Sequence, residues 1–140
     1  MSLEVGRGLE FEIGRHRVVV PAAFVVRVVE VDLSPSPPLG RDWVGGLGFN
    51  EGEIFVAVDL APDDRAPGPS TCAILDVPRQ RQLLWAVRIK RSVGFADATT
   101  CARPATLPAE WPSWVKGARL QDDVTVGLLD VVEMTLDYER

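Results

Sequence analysis

The side chains able to do chemistry are few and do not converge. His16 is the only histidine. It stands between Arg15 and Arg17 in a segment that reads as a hairpin turn, and a general base or zinc ligand there would need partners the sequence does not offer. It is expected to be a solvated turn residue. Cys72 and Cys101 are the two cysteines. They lack the Cys-x-x-Cys spacing of a metal or redox site, and in an acidic chain without a signal peptide they read as two reduced thiols. None of Ser2, Ser34, Ser36, Ser70, Ser92 and Ser113 sits in a Gly-x-Ser-x-Gly elbow, and no glycine-rich loop leads into Lys-Ser or Lys-Thr. Asp59 and Asp130 are the only carboxylates that recur at matching places, and they are expected to cap or terminate strands. The reading is a chain without catalytic groups, metal or cofactor.

The elements that would position any site are short strands. The chain has 140 residues, one domain's length. Valine occurs 20 times against 14 leucines and 4 isoleucines, with 11 prolines and 12 glycines between them. β-Branched runs interrupted at short intervals predict many short strands. Alternation over residues 9–13, a turn at 14–17 and Val18-Val19-Val20-Pro21 predict a first hairpin. Pro21 stops the ladder, residues 22–24 fit one helical turn, and a strand resumes over 25–31. Ser34-Pro35-Ser36-Pro37-Pro38 reads as a polyproline connector. A second hairpin follows over 47–60 with its turn at Asn50-Glu51-Gly52, then a loop over 61–70.

Charge removes further classes. Fifteen Lys and Arg against 20 Asp and Glu leave a net charge of −5, which argues against nucleic-acid binding. The longest basic cluster, residues 79–91, alternates with apolar residues and should turn half of itself inward on a strand. No apolar run of membrane length and no signal-like start occurs, so neither membrane insertion nor export is expected and a cytoplasmic location is.

The second half repeats the first. Trp43-Val44-Gly45-Gly46 corresponds to Trp114-Val115-Lys116-Gly117 and Val58-Asp59-Leu60 to Leu129-Asp130-Val131, all at an offset of 71 residues. Ile13-Gly14-Arg15-His16-Arg17 matches Val77-Pro78-Arg79-Gln80-Arg81 at an offset of 64. The repeat predicts one domain over 1–140 built from two similar β-subdomains, halves of about 9–70 and 71–136 that are free to exchange strands. Sheets this small avoid exposed edges by curling into barrels that bury a common face.

These residues carry a resemblance. Trp43-Val44-x-Gly46-Leu47, Gly52-Glu53-Ile54 and Val58-Asp59-Leu60 resemble the signature of CheW-like domains, and Val20-Pro21 followed by Val25 and Val28 is similar to the family's Leu-Pro and Val-x-Glu-Val. Trp114-Val115-Lys116-Gly117 and Leu128-Leu129-Asp130 are similar to its C-terminal copy. The resemblance spans residues 9–136. It implies a mainly β fold of two SH3-like five-stranded barrels on a shared hydrophobic core, with short helical turns and a short C-terminal helix. It also implies a non-catalytic chemotaxis adaptor that couples chemoreceptors to a CheA-type histidine kinase. The implied partners are the kinase's regulatory domain, the receptor's cytoplasmic tip and other CheW-like proteins, with recruitment to receptor clusters. Val25 and Gly46 match the family's kinase-facing region, and Phe49 and Glu51 its receptor-facing surface.

The departures from that pattern carry their own expectations. Where the family hairpin reads Asn-x-Arg-Gly, this chain has Phe49-Asn50-Glu51-Gly52, and where the family has the glutamate of Val-x-Glu-Val it has Arg27. Acid and base have traded places, so Arg27 and Glu51 are expected to form an ion pair of swapped polarity. The reversal admits an alternative, a divergent scaffold of a motility or developmental pathway with altered or lost receptor or kinase binding. Lys90, where the family often has aspartate, extends the remodelled charge. Phe49 is expected in the core, as are the tryptophans. Trp43 and Trp114 are expected to pack each barrel's end onto its connector, and Trp85 to reach the seam.

Overall fold

A computed structural model describes residues 7–34, 42–64, 68–77, 84–97, 106–121 and 123–139. Among these residues ten strands precede one α-helix: β1 Arg7–Ile13, β2 His16–Pro21, β3 Val25–Val31, β4 Val44–Asn50, β5 Glu53–Val58, β6 Ser70–Leu75, β7 Leu84–Ile89, β8 Arg91–Asp97, β9 Val115–Gln121, β10 Val124–Leu129 and α1 Val131–Glu139. A 3-10 turn at Ala22–Phe24 follows Pro21, whose missing N–H ends the β2 ladder. The connector prolines at 35–38 lie outside the described residues.

The strands form two five-stranded sheets, in the orders β8-β1-β2-β10-β9 and β3-β6-β7-β5-β4. The two orders are the same once each strand is exchanged for its repeat partner. β4 and β5 begin and end 71 residues before β9 and β10. Both sheets hold parallel pairs at matching places, β2 beside β10 and β7 beside β5, within otherwise antiparallel ladders. The sheets do not follow the sequence halves. β1 and β2 complete the sheet of β8–β10, while β6 and β7 complete the sheet of β3–β5.

Alternation sends each strand's side chains to two places. Phe55, Ala57, Cys72, Ile74 and Ala86 fill the interior of the second barrel. Their neighbours Val56, Val58, Ala73, Leu75, Trp85 and Val87 point the other way, into a seam shared with Phe11, Ile13, Val18 and Val20 of the first. Trp43 and Trp114 are buried as expected, and the proline connector they were expected to pack against lies outside the described residues. The two meet one another edge-to-face with ring centroids 5.2 Å apart, and Trp85 and Tyr138 join the cluster. The two copies of the repeat are therefore pinned at their equivalent tryptophans, a contact worth about 0.5–1.5 kcal/mol beyond its buried area.

Candidate protein-binding surface

The aspartates that end β5 and β10 organise the turns after them. Asp59 N–H donates to the Trp43 carbonyl at 2.8 Å and Asp130 N–H to the Trp114 carbonyl at 2.9 Å, the same bond in both copies. Asp130 Oδ1 accepts the Glu133 N–H at 3.0 Å and so caps α1. Asp59 Oδ1 accepts the Ala61 N–H, and its Oδ2 lies 2.9 Å from Arg88 Nε. That last contact is an ion pair, since the Nε–H does not point along a hydrogen-bond line, while Arg88 Nη2 donates to the Ala61 carbonyl at 2.6 Å. Both carboxylates thus hold structure.

Two other expectations are corrected or fall outside. His16 is no solvated turn residue: it opens β2, is half-buried, and sets its ring edge-on to Trp111 at 5.7 Å. Trp111 is near in space but far in sequence, so no local pattern announced the contact. Cys72 is fully buried in β6, and Cys101 lies outside the described residues.

Phe49 also departs from expectation. It is 64% exposed, as is its cross-strand partner Ile54 at 60%. Both project from the sheet face that carries Leu47 and Val56, beyond the point where that face meets the shared seam. Alternation gave Phe49 the seam-facing side, and the seam ends before reaching it. Glu51 sits at the tip of the same hairpin, where Asn50 pairs with Glu53 and the two turn residues have φ of 50° for Glu51 and 81° for Gly52. Both positive values define a type I′ turn, whose twist matches that of the strands.

Arg27 reaches this hairpin from β3. Its Nη2 lies 3.2 Å from Glu51 Oε2, donates to Asn50 Oδ1 at 3.2 Å, and is 4.0 Å from Glu53 Oε1. The pair is partly screened, with Arg27 about one-third and Glu51 mostly exposed. Of the remaining candidates, Val25 is half-buried against the shared core. Gly46 is buried, with φ of 149°, and a Cβ there would stand 2.6 Å from the Ser34 carbonyl oxygen. Whatever Gly46 contributes to a binding face is backbone shape.

Further exposed apolar residues lie on β3 and β8. The positions of these strands correspond through their partners. Val28 opposes Ala73, Phe95 opposes Leu9, and Ala73 is the repeat equivalent of Leu9. Each strand also carries a bulge at the same place, opened by Val26 in one and Val93 in the other. Val26, Val28, Val93 and Phe95 are all exposed. The two faces have nevertheless diverged. Gly94 takes the place of Arg27, and the Arg7 guanidinium lies over one face of the still exposed Phe95 ring, 5.5 Å from its centroid.

Among the described residues no group of three or more His, Cys, Asp or Glu could hold a metal, and no helix is long and apolar enough to cross a membrane. A scan against protein-family models finds no match, and a search of curated protein sequences finds none either. A solved structure does match. The scaffolding protein TtCheW from Thermoanaerobacter tengcongensis is similar with a TM-score of 0.64 over 88% of this chain and 87% of its own, at 16% sequence identity. The chain therefore has the fold of that protein, two SH3-like β subdomains with a short C-terminal helix.

Proposed function

We propose that the chain is a non-catalytic adaptor of a chemosensory pathway, holding the regulatory domain of a CheA-type histidine kinase beside the cytoplasmic tip of a chemoreceptor. The observation that carries this reading is the pair of barrels with apolar side chains exposed at repeat-equivalent positions, Val26 and Val28 on β3 and Val93 and Phe95 on β8. Exposed apolar groups on a rigid sheet are protein-binding material. Two matched sets on one body would let a single chain hold two partners in fixed geometry. The likeness to a scaffolding protein supports the same reading. Such a protein works in the cytoplasm, brought to receptor clusters by its partners, and further CheW-like chains are candidate neighbours there. Val25 and Gly46 are assigned to the kinase-facing side and Phe49 with Glu51 to the receptor-facing side.

A second reading rests on the swapped polarity of Arg27 and Glu51. It is a divergent scaffold of a motility or developmental pathway whose receptor or kinase binding is altered or lost. Titration of the full chain against the kinase regulatory domain and the receptor tip from the same genome separates the two. Binding to both supports coupling, and binding to one alone supports the divergent scaffold. Binding to neither overturns the coupling role and favours a divergent scaffold that has lost both contacts.

A further inference from the structure

The β4–β5 hairpin combines an apolar pair with an unbalanced cluster of charge. Phe49 and Ile54 oppose each other across the two strands, both mostly exposed. Glu51 at the tip and Glu53 beside it share one guanidinium, that of Arg27. Two carboxylates against one cation leave the tip net negative, and the acids are its more exposed members, at 70% and 57% against 33% for Arg27. Glu51 also holds a left-handed backbone conformation, φ 50°, that Asn or Gly would adopt with less strain.

We infer that this hairpin tip docks a protein segment whose apolar side chains are flanked by lysine or arginine. Phe49 and Ile54 supply the apolar anchor. Glu51 and Glu53 select the sign of the partner's charge, attracting a basic flank and repelling an acidic one. Arg27 holds the tip in place from β3 and prevents the two carboxylates from repelling each other. The inference rests on the adaptor reading and adds to it the chemistry of the partner met by this face.

The test uses the full chain and two labelled peptides with the same leucines, one flanked by lysines and one by glutamates, followed by fluorescence anisotropy. The lysine peptide is expected to bind at least about tenfold more tightly at low salt, with the difference shrinking as salt rises. The double change Glu51→Lys with Glu53→Lys is expected to reverse the preference. Phe49→Ser with Ile54→Ser is expected to weaken both peptides about tenfold or more without altering the far-ultraviolet circular dichroism, because neither side chain is buried. Equal binding of the two peptides, binding of neither, a preference untouched by the charge changes, or full binding after loss of both apolar side chains would each overturn the inference. The fragment titration keeps the two ideas apart. Kinase or receptor binding that ignores all four substitutions would leave the adaptor role and sink this one, whereas a lysine-peptide preference without fragment binding would do the reverse.

Discussion

Gly48 is a position where one methyl group has nowhere to go. A Cβ built there falls on the ring of Phe55, which is 1% exposed and fills the interior of its barrel. Gly48→Ala is therefore expected to cost about 1–3 kcal/mol through overpacking, read as a lower urea midpoint at unchanged slope. An unchanged midpoint would mean that the ring can turn aside. Nothing in the neighbouring residues marked Gly48 for this role, because the atom it makes room for belongs to the facing strand. The Arg27–Glu51 contact was easier to foresee, since two departures of opposite sign in matching motifs suggested it before any distance was known. Phe49 was harder. Alternation says which side of a strand a residue takes, but not where the covering layer stops.

The elements show how equal positions can differ in energetic weight. Asp59 and Asp130 end equivalent strands and make the same backbone bond, yet only Asp59 faces a nearly buried cation. Asp130→Ala removes the cap of α1 and an exposed contact with Lys116, and is expected to cost about 1 kcal/mol. Asp59→Ala strands the Arg88 guanidinium and is expected to cost about 3–5 kcal/mol. Thermal unfolding of the two variants checks the order, and equal losses would show that Arg88 finds water when its partner is removed. Most elements were legible: period-two alternation and turn residues marked β1 to β5, and the 71-residue offset carried β4 and β5 onto β9 and β10. The parallel pairings were not, since β5 with β7 and β2 with β10 join strands that no short turn connects.

At the scale of the whole molecule the repeat unit and the folded unit are different things. Each sheet takes a hairpin from one copy and three strands from the other. Chains cut between Gly68 and Pro69 are expected to be unfolded separately, each lacking strands for both sheets, and to regain β structure on mixing. Circular dichroism at equal concentrations checks this, and a folded fragment on its own would show that one copy can close its own barrel. Strand exchange also gives the two sheets different histories during synthesis. The strands β3 to β7 are consecutive, so their barrel can close once residue 89 has left the ribosome. The β1–β2 hairpin is made before that barrel but must wait for β8, β9 and β10. Through that interval Phe11, Val18 and Val20 have only the finished barrel to shelter them, which makes a hairpin synthesised earlier the later to be completed and the part most open to premature association with a neighbouring nascent copy.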